Sequence, residues 1–276
     1  VVNDELTVVT KSYSVSTGQM KKRKSIVFKE TKGMTGITEL KRNLKAYNSL
    51  IEKHKITIDL GNGDKECNNI IYKRRFQNNL HTCGRYYTKS VFQTLPSECR
   101  KSIKIDGEET AELDIKSAHC TFLSTLDGIV LPDDFDSYTI PKLIELGVSR
   151  DFTKGMLFPL LFSKNKLSAI KGIRLKLKEY GLSHLSAEYM IECFVEHNPF
   201  IEEYLFSERL YGELQYIDAS IATLVIDYFT EKGIIVLCYH DSFVIQKKHK
   251  DQLYSKIEDS YLEVLGDTTN LVIREV

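Results

Sequence analysis

The chain has 276 residues, enough for one large domain or two small ones and for a sizeable core. Lys and Arg together number 38, as do Asp and Glu, so net charge gives no argument for nucleic acid or membrane and only a local patch can do so. No apolar run approaches the roughly 18–20 residues of a membrane span, so no membrane partner is expected. Six cysteines (Cys67, Cys83, Cys99, Cys120, Cys193 and Cys238) lie far apart with no Cys-x-x-Cys pair, which argues against a zinc site and for a reducing, cytoplasmic setting. No signal peptide is visible at the start. A first residue of Val rather than Met suits a piece of something longer.

In chain order, residues 1–33 are polar and mixed, with a basic run Lys21–Lys24 that reads as solvated surface ahead of a phosphate-binding arm. Over 36–54, Ile37, Leu40, Leu44, Tyr47 and Ile51 fall on one stripe and predict an amphipathic helix. Gly61–Asp64 is a turn, and 66–80 is basic around Lys73–Arg75. Residues 103–115 read as strand, Asp106-Gly107 turn and strand, with helical spacing from about 117. A loop follows over 126–141. Apolar residues then keep helical spacing over 166–180, 183–196 and 214–231, with Gly233 as a C-cap. "IIVLCYHDSFVI" (234–245) reads as a hairpin or bent strand, before a helix at about 250–264 and a terminal strand. The order predicts an α+β fold, a sheet layer with a helical insertion.

Three constellations carry chemistry. In "IIVLCYHDSFVI", a turn at 240–242 presents Asp241 to solvent or a metal; the plain reading is a surface turn with an Asx-type bond. In "AELDIKSAHCTFL" (111–123), Asp114 sits where a strand ends and a helix begins, with Ser117 and His119 about one helical turn on; this is a metal or phosphate geometry, or simply an N-cap. Arg150, Lys154, Phe158 and Phe162 recur every four residues, so on a helix they stay on one face for about 18 Å. Two cations followed by two aromatics suit a triphosphate and a base; the plain reading makes the two Phe core and the cations solvated. Pro159 within the row should kink the helix. Asp114 and Asp241, 127 positions apart and each at a predicted strand end, can converge on one pair of Mg²⁺ ions. Each plain reading is comfortable alone; all three together are much less so.

At these residues the sequence resembles the family A DNA polymerases and the related single-subunit phage-type RNA polymerases. "LDIKSAHC" resembles motif A, the Arg150–Lys154–Phe158 row motif B, and "YHDSF" motif C, in family order. "CGRYYTKSVFQTLPSECRKSI" (83–103) is similar to the stretch preceding motif A, and "ELQYIDASIA" (213–222), more weakly, to the Gln-bearing helix before motif C. These matches span roughly 83–246; residues 1–80 match nothing in the family, and no proofreading exonuclease is visible.

The resemblance implies a right-hand polymerase: 1–80 a helical, thumb-like region, 81–125 the first part of an antiparallel-sheet palm, 126–212 short helical fingers, and 213–276 the second part of the palm. It implies that Asp114 and Asp241, with the Ile115 carbonyl, hold two Mg²⁺ ions, Mn²⁺ being able to substitute. Arg150 and Lys154 would hold the triphosphate, Lys154 also as acid to the leaving group, and Phe158 would stack on the nucleotide. Ser117, His119 and Phe162 complete the substrate-binding set. Arg85, Gln93, Arg100, Gln215 and His240 would touch nucleic acid. The implied partners are a primed template, nucleoside triphosphates, and replication or helicase proteins, in a mobile element or virus. The sequence departs from the family at three points. Phe162-Ser163 stands for the usual Tyr-Gly, and Ser242 for the Glu that often follows the motif C Asp. His119 takes the place of Glu in the DNA polymerases and of Gly in the phage-type enzymes. A bulky His119 favours deoxynucleotides, but the Glu–Tyr bond of the DNA polymerases cannot form, so sugar choice stays open. An RNA-synthesising primase or small RNA polymerase, and a catalytically silent nucleic-acid-binding palm, are the alternatives.

Overall fold

A computed structural model describes the backbone of residues 6–9 and residues 36–59, 61, 63–77, 79–207 and 209–276; the Lys21–Lys24 run lies outside them. The elements are β1 (Leu6–Val9), α1 (Ile37–Ile51), β2 (Ile56–Asp59), β3 (Asp64–Glu66), β4 (Tyr72–Gln77), β5 (Asn79–Thr88), α2 (Ser97–Arg100), β6 (Ile103–Ile105), β7 (Glu108–Ile115), α3 (Ala118–Leu126), α4 (Pro141–Ile144), α5 (Arg150–Phe162), α6 (Lys166–Glu179), α7 (Ala187–His197), α8 (Leu210–Glu231), β8 (Val236–Tyr239), β9 (Ser242–Gln246), α9 (Lys250–Leu265) and β10 (Ile273–Glu275). The α+β class follows directly. The chain divides into two compact units. The first holds residues 1–115, 215–264 and 272–276; the second holds 116–214 and 265–271.

Every described strand belongs to the first unit. One sheet has the order β1-β4-β5, with β1 parallel to β4. The other runs β3-β2-β6-β7-β9-β8, and β10 also pairs with β7. β7 is its organising strand. β6 pairs with its first residues, β10 with its last, and β9 runs antiparallel along its other edge. The expectation that residues 1–80 are helical is corrected here: among the described residues of that segment, α1 is the single helix and the rest is largely strand. The reason is local. In β4, Tyr72, Arg74 and Phe76 are buried while Lys73, Arg75 and Gln77 are not, a period of two that no helix can satisfy.

β8 ends the larger sheet, and its outward carbonyls are met by buried tyrosines. Tyr47 Oη donates to Val236 O (2.6 Å) and Tyr72 Oη to Cys238 O (2.9 Å), with the two rings stacked 5.1 Å apart. Asn48 closes the same corner. Its amide donates to Tyr72 O (2.9 Å), and its side-chain oxygen accepts from Tyr72 N (2.8 Å). The edge is thereby satisfied by side chains rather than left to pair with another chain.

In the second unit, Ser149 caps α5 by accepting from Phe152 N (3.2 Å), which fixes Arg150 as the first helical residue. Pro159 lies inside α5. α6 passes close by: a Cβ on Gly172 would stand 3.0 Å from the Pro159 ring, so glycine lets the two helices approach. Leu160 O and Leu161 O, at the end of α5, accept from Phe206 N (2.8 Å) and Ser207 N (2.9 Å).

Candidate functional site

Asp114 and Asp241 are brought together in the first unit. Asp114 is the penultimate residue of β7, paired with Ser242 of β9. Asp241 precedes Ser242 in the two-residue connection of the β8–β9 hairpin, in which Tyr239 faces Ser242. Ile115 N–H donates to the Asp241 carbonyl at 3.2 Å, extending the ladder into the turn. His240, the other turn residue, has φ 61°, the left-handed region that non-glycine residues seldom adopt. The hairpin reading of "IIVLCYHDSFVI" therefore holds, and the turn sits against the end of β7.

Residues directly opposite each other across an antiparallel ladder share a face. Glu112, Asp114, Ser242 and Arg274 of β10 thus line one face. Both Nε (2.9 Å) and Nη2 (2.6 Å) of Arg274 donate to Asp114 Oδ2, whose side chain is 15% exposed. Ser242 Oγ donates to Glu112. Arg100 clamps the same carboxylate from the other side, through Nε at 2.9 Å and Nη2 at 2.6 Å, and gives Nη1 to Leu95 O at 2.9 Å. The Arg100 guanidinium also lies 4.1 Å from the Tyr239 ring centre. Each Arg100 guanidinium nitrogen thus has a partner, and the buried ion pair stands beside Asp114 and Ser242 on the same face.

The other named residues of this unit sit around the turn. Arg85 Nε pairs with Asp218 of α8, itself 2% exposed. Burial, reinforced by the Asp241 carboxylate, pushes Asp218 up to about 6 against the pull of Arg85. Burial, then the positive charge of Arg85, brings His240 down to about 4, so its ring is neutral near pH 7. His240 Nδ1 is buried without a hydrogen-bond partner among the described residues. Gln93 braces β5, donating to Tyr86 O (3.1 Å) and accepting from Thr88 N (2.5 Å). Gln215 is buried in α8. Gln93 and Arg100 thus have protein partners in this structure.

The second unit holds the remaining residues. The buried side of α5 is Phe152, Thr153, Met156, Leu157, Pro159, Leu160 and Leu161. Lys154 and Phe158 lie on the opposite, exposed face, with Arg150 and Phe162 half-buried. The plain reading of Phe158 as core fails, since it is 59% exposed. Arg150 grips Asp136 through Nε (3.0 Å) and Nη2 (3.3 Å). Burial pushes the Asp136 carboxyl up, but the Tyr138 amide and Arg150 outweigh it and hold it low. Phe158, Phe162 and Tyr211 form an edge-to-face group with centroids 5.0–5.7 Å apart. His119 joins it, 6.0 Å from Phe162 at 82°. Ser117 has φ 52°, and its buried Oγ has no hydrogen-bond partner among the described residues.

Five partners escaped the sequence reading: Glu112, Asp136, Tyr211, Asp218 and Arg274. Glu112 alone had a local signal, being two residues before Asp114 and so on its face. The others come from distant segments that only folding brings in.

The Asp114 and Asp241 carboxylates and the Ile115 carbonyl are hard oxygen donors. Mg²⁺ takes one or two carboxylates with waters and substrate phosphates, so this donor set fits it. No group of three or more His, Cys, Asp or Glu side chains able to hold a metal occurs among the described residues.

No protein-family model matches the chain, and no curated protein matches it in sequence. Among solved structures, it is similar to the POL domain of Pol1 from M. smegmatis, determined in complex with a DNA primer-template and dNTP. The TM-score is 0.48 at 11% identity; the match covers 86% of this chain and 50% of that one, so the chain spans about half its length. No helix among the described residues is long and apolar enough to cross a membrane.

Proposed function

We propose that the chain is a template-directed nucleotidyltransferase that extends a primer 3′-OH from nucleoside triphosphates, with the first unit as palm and the second as fingers. One observation carries the reading. Two aspartates 127 positions apart lie at one corner of one sheet, where Asp114 pairs with Ser242 and the next residue, Ile115, donates to the Asp241 carbonyl. The primer 3′-OH gives its proton to solvent as its oxygen bonds to the α-phosphorus, the bond to the bridging oxygen breaks, and pyrophosphate leaves with a proton from Lys154, which regains one from solvent. Asp114, Asp241 and the Ile115 carbonyl would hold Mg²⁺, which would supply Lewis acidity to the phosphoryl transfer. Arg150 and Lys154 bind the triphosphate, and Phe158, exposed and backed by Phe162 and Tyr211, offers a stacking surface. His119 crowds the ribose 2′ position and favours deoxynucleotides. Arg85 and His240 contact the primer; Gln93, Arg100 and Gln215 shape the elements that carry them.

The Arg274–Asp114 pair favours a second reading, a nucleic-acid-binding palm without turnover, because a guanidinium already engages the carboxylate a metal needs. One assay separates the readings. Primed and unprimed templates are given dNTPs or rNTPs with Mg²⁺, using wild type, Asp114→Asn and Asp241→Asn. The polymerase reading expects primer-dependent dNTP addition. It also expects a loss of roughly 10³-fold in either variant, since metal-borne charge stabilisation is worth several kcal/mol. Equal behaviour of all three proteins would replace it with the binding-module reading. Efficient unprimed rNTP use would replace it with an RNA-synthesising enzyme.

A further inference from the structure

The β4–β5 ribbon presents a cationic and aromatic row that no role above uses. Alternation in β4 sends Tyr72, Arg74 and Phe76 inward and Lys73 and Arg75 to the other face, about 7 Å apart at 3.4 Å per residue. Across the ladder, Lys73 stands opposite Tyr87 and Arg75 opposite Arg85. Two arginines directly opposite each other repel. The ion pair to Asp218 offsets Arg85, whereas Arg75 is exposed and lies over an aromatic face. The Arg75 guanidinium is 4.8 Å from the Tyr87 ring centre, and the Tyr87 ring meets His240 edge-on at 5.5 Å. A continuous row, Arg75–Tyr87–His240, therefore leads from an exposed cation to the turn that carries Asp241. The ring fixes where the guanidinium sits, and a planar, weakly hydrated cation so held suits a phosphodiester oxygen.

We propose that Lys73, Arg75 and Tyr87 form a phosphate-binding track that seats the primer strand just upstream of the 3′ end at His240–Asp241. The direction of the track rests on the polymerase reading; its affinity for a nucleic-acid backbone does not.

The test measures binding of a labelled primer-template by anisotropy, in EDTA so that no turnover occurs, between 50 and 200 mM salt. Each phosphate contact adds about 0.9 to the slope of log K against log salt. Lys73→Gln/Arg75→Gln is expected to lower that slope by about 1.8, roughly a 12-fold change over this salt range. The control pair Lys53→Gln/Lys65→Gln, exposed like Arg75 and in the same unit, should leave it unchanged. Circular dichroism melts verify folding. Neutral methylphosphonate linkages near the primer 3′ end should be non-additive with Arg75→Gln, and the same linkages in the template strand additive. An unchanged slope, an equal loss in the control pair, or additivity on the primer overturns the track. If the slope falls as expected while wild type extends nothing, the track stands and the polymerase reading falls.

Discussion

At the residue scale, the candidate site is decided by which charges stand beside each aspartate. Arg274 is bound to Asp114, so a cation entering there must compete with a guanidinium. Arg274→Gln is expected to lower the Mg²⁺ concentration for half-maximal extension while Asp241 still supplies its carboxylate; a magnesium titration of both proteins checks this. Asp218 and His240 oppose each other with pH. Asp218 is raised from 3.8 to about 6, so its contribution to folding is full below 3.8 and is lost as pH rises through 6. His240 is lowered from 6.5 to about 4, so its contribution is full above 6.5 and is lost as pH falls through 4. Between these limits the two trends offset. Asp218→Asn removes the first, and the variant should lose thermal stability more steeply than wild type on acidification from pH 6.5 to 4, read as Tm across a pH series.

At the element scale, β7 does the positioning. Its alternation places Glu112 and Asp114 on one face. The Arg100–Glu112 pair then ties α2 to β7, and Ser242 ties β9 to the same carboxylate. Arg100→Met leaves Glu112 buried with its main partner gone, which typically costs about 3–5 kcal/mol. The double variant Arg100→Met/Glu112→Leu should recover much of that loss, because no charge then remains unpaired. Urea unfolding of the single and double variants measures the difference. The β8–β9 hairpin was legible locally, since two apolar runs flank a short polar turn. The face of α5 was legible because four-residue spacing needs no knowledge of neighbours. The helical expectation for residues 1–80 fails because only α1 carries a helical stripe, while the later residues of β4 alternate with a period of two.

At the scale of the whole molecule, a formal net charge of 0 gives no general attraction for nucleic acid, so the affinity proposed for the β4–β5 ribbon must come from that local patch. The cysteines report on packing. All six are free thiols, and all but Cys99 are buried. Burial pushes Cys120 up to about 11 and raises Cys67 and Cys238 as well, so these thiols stay protonated and inert. One thiol per native chain, that of Cys99, is expected to react with an aromatic disulfide reagent, and all six after unfolding. Fast reaction of more than one in the native protein would show that the packing described here opens.

The sequence by itself determined the strands of 103–115 and 234–245, α1 and the helices from α6 onward, the hairpin turn at His240–Asp241 and the exposed row of α5. Each of these depends on spacing within a dozen or so residues, and backbone periodicity writes that spacing directly into the chain. Tertiary structure alone decided that Asp114 and Asp241 share a sheet corner, that Arg274 grips Asp114, that Asp218 offsets Arg85, and that Tyr87 links Arg75 to His240. Those neighbours are separated by up to 160 positions, and strand pairing together with the packing of α8, not local spacing, determines which of them meet.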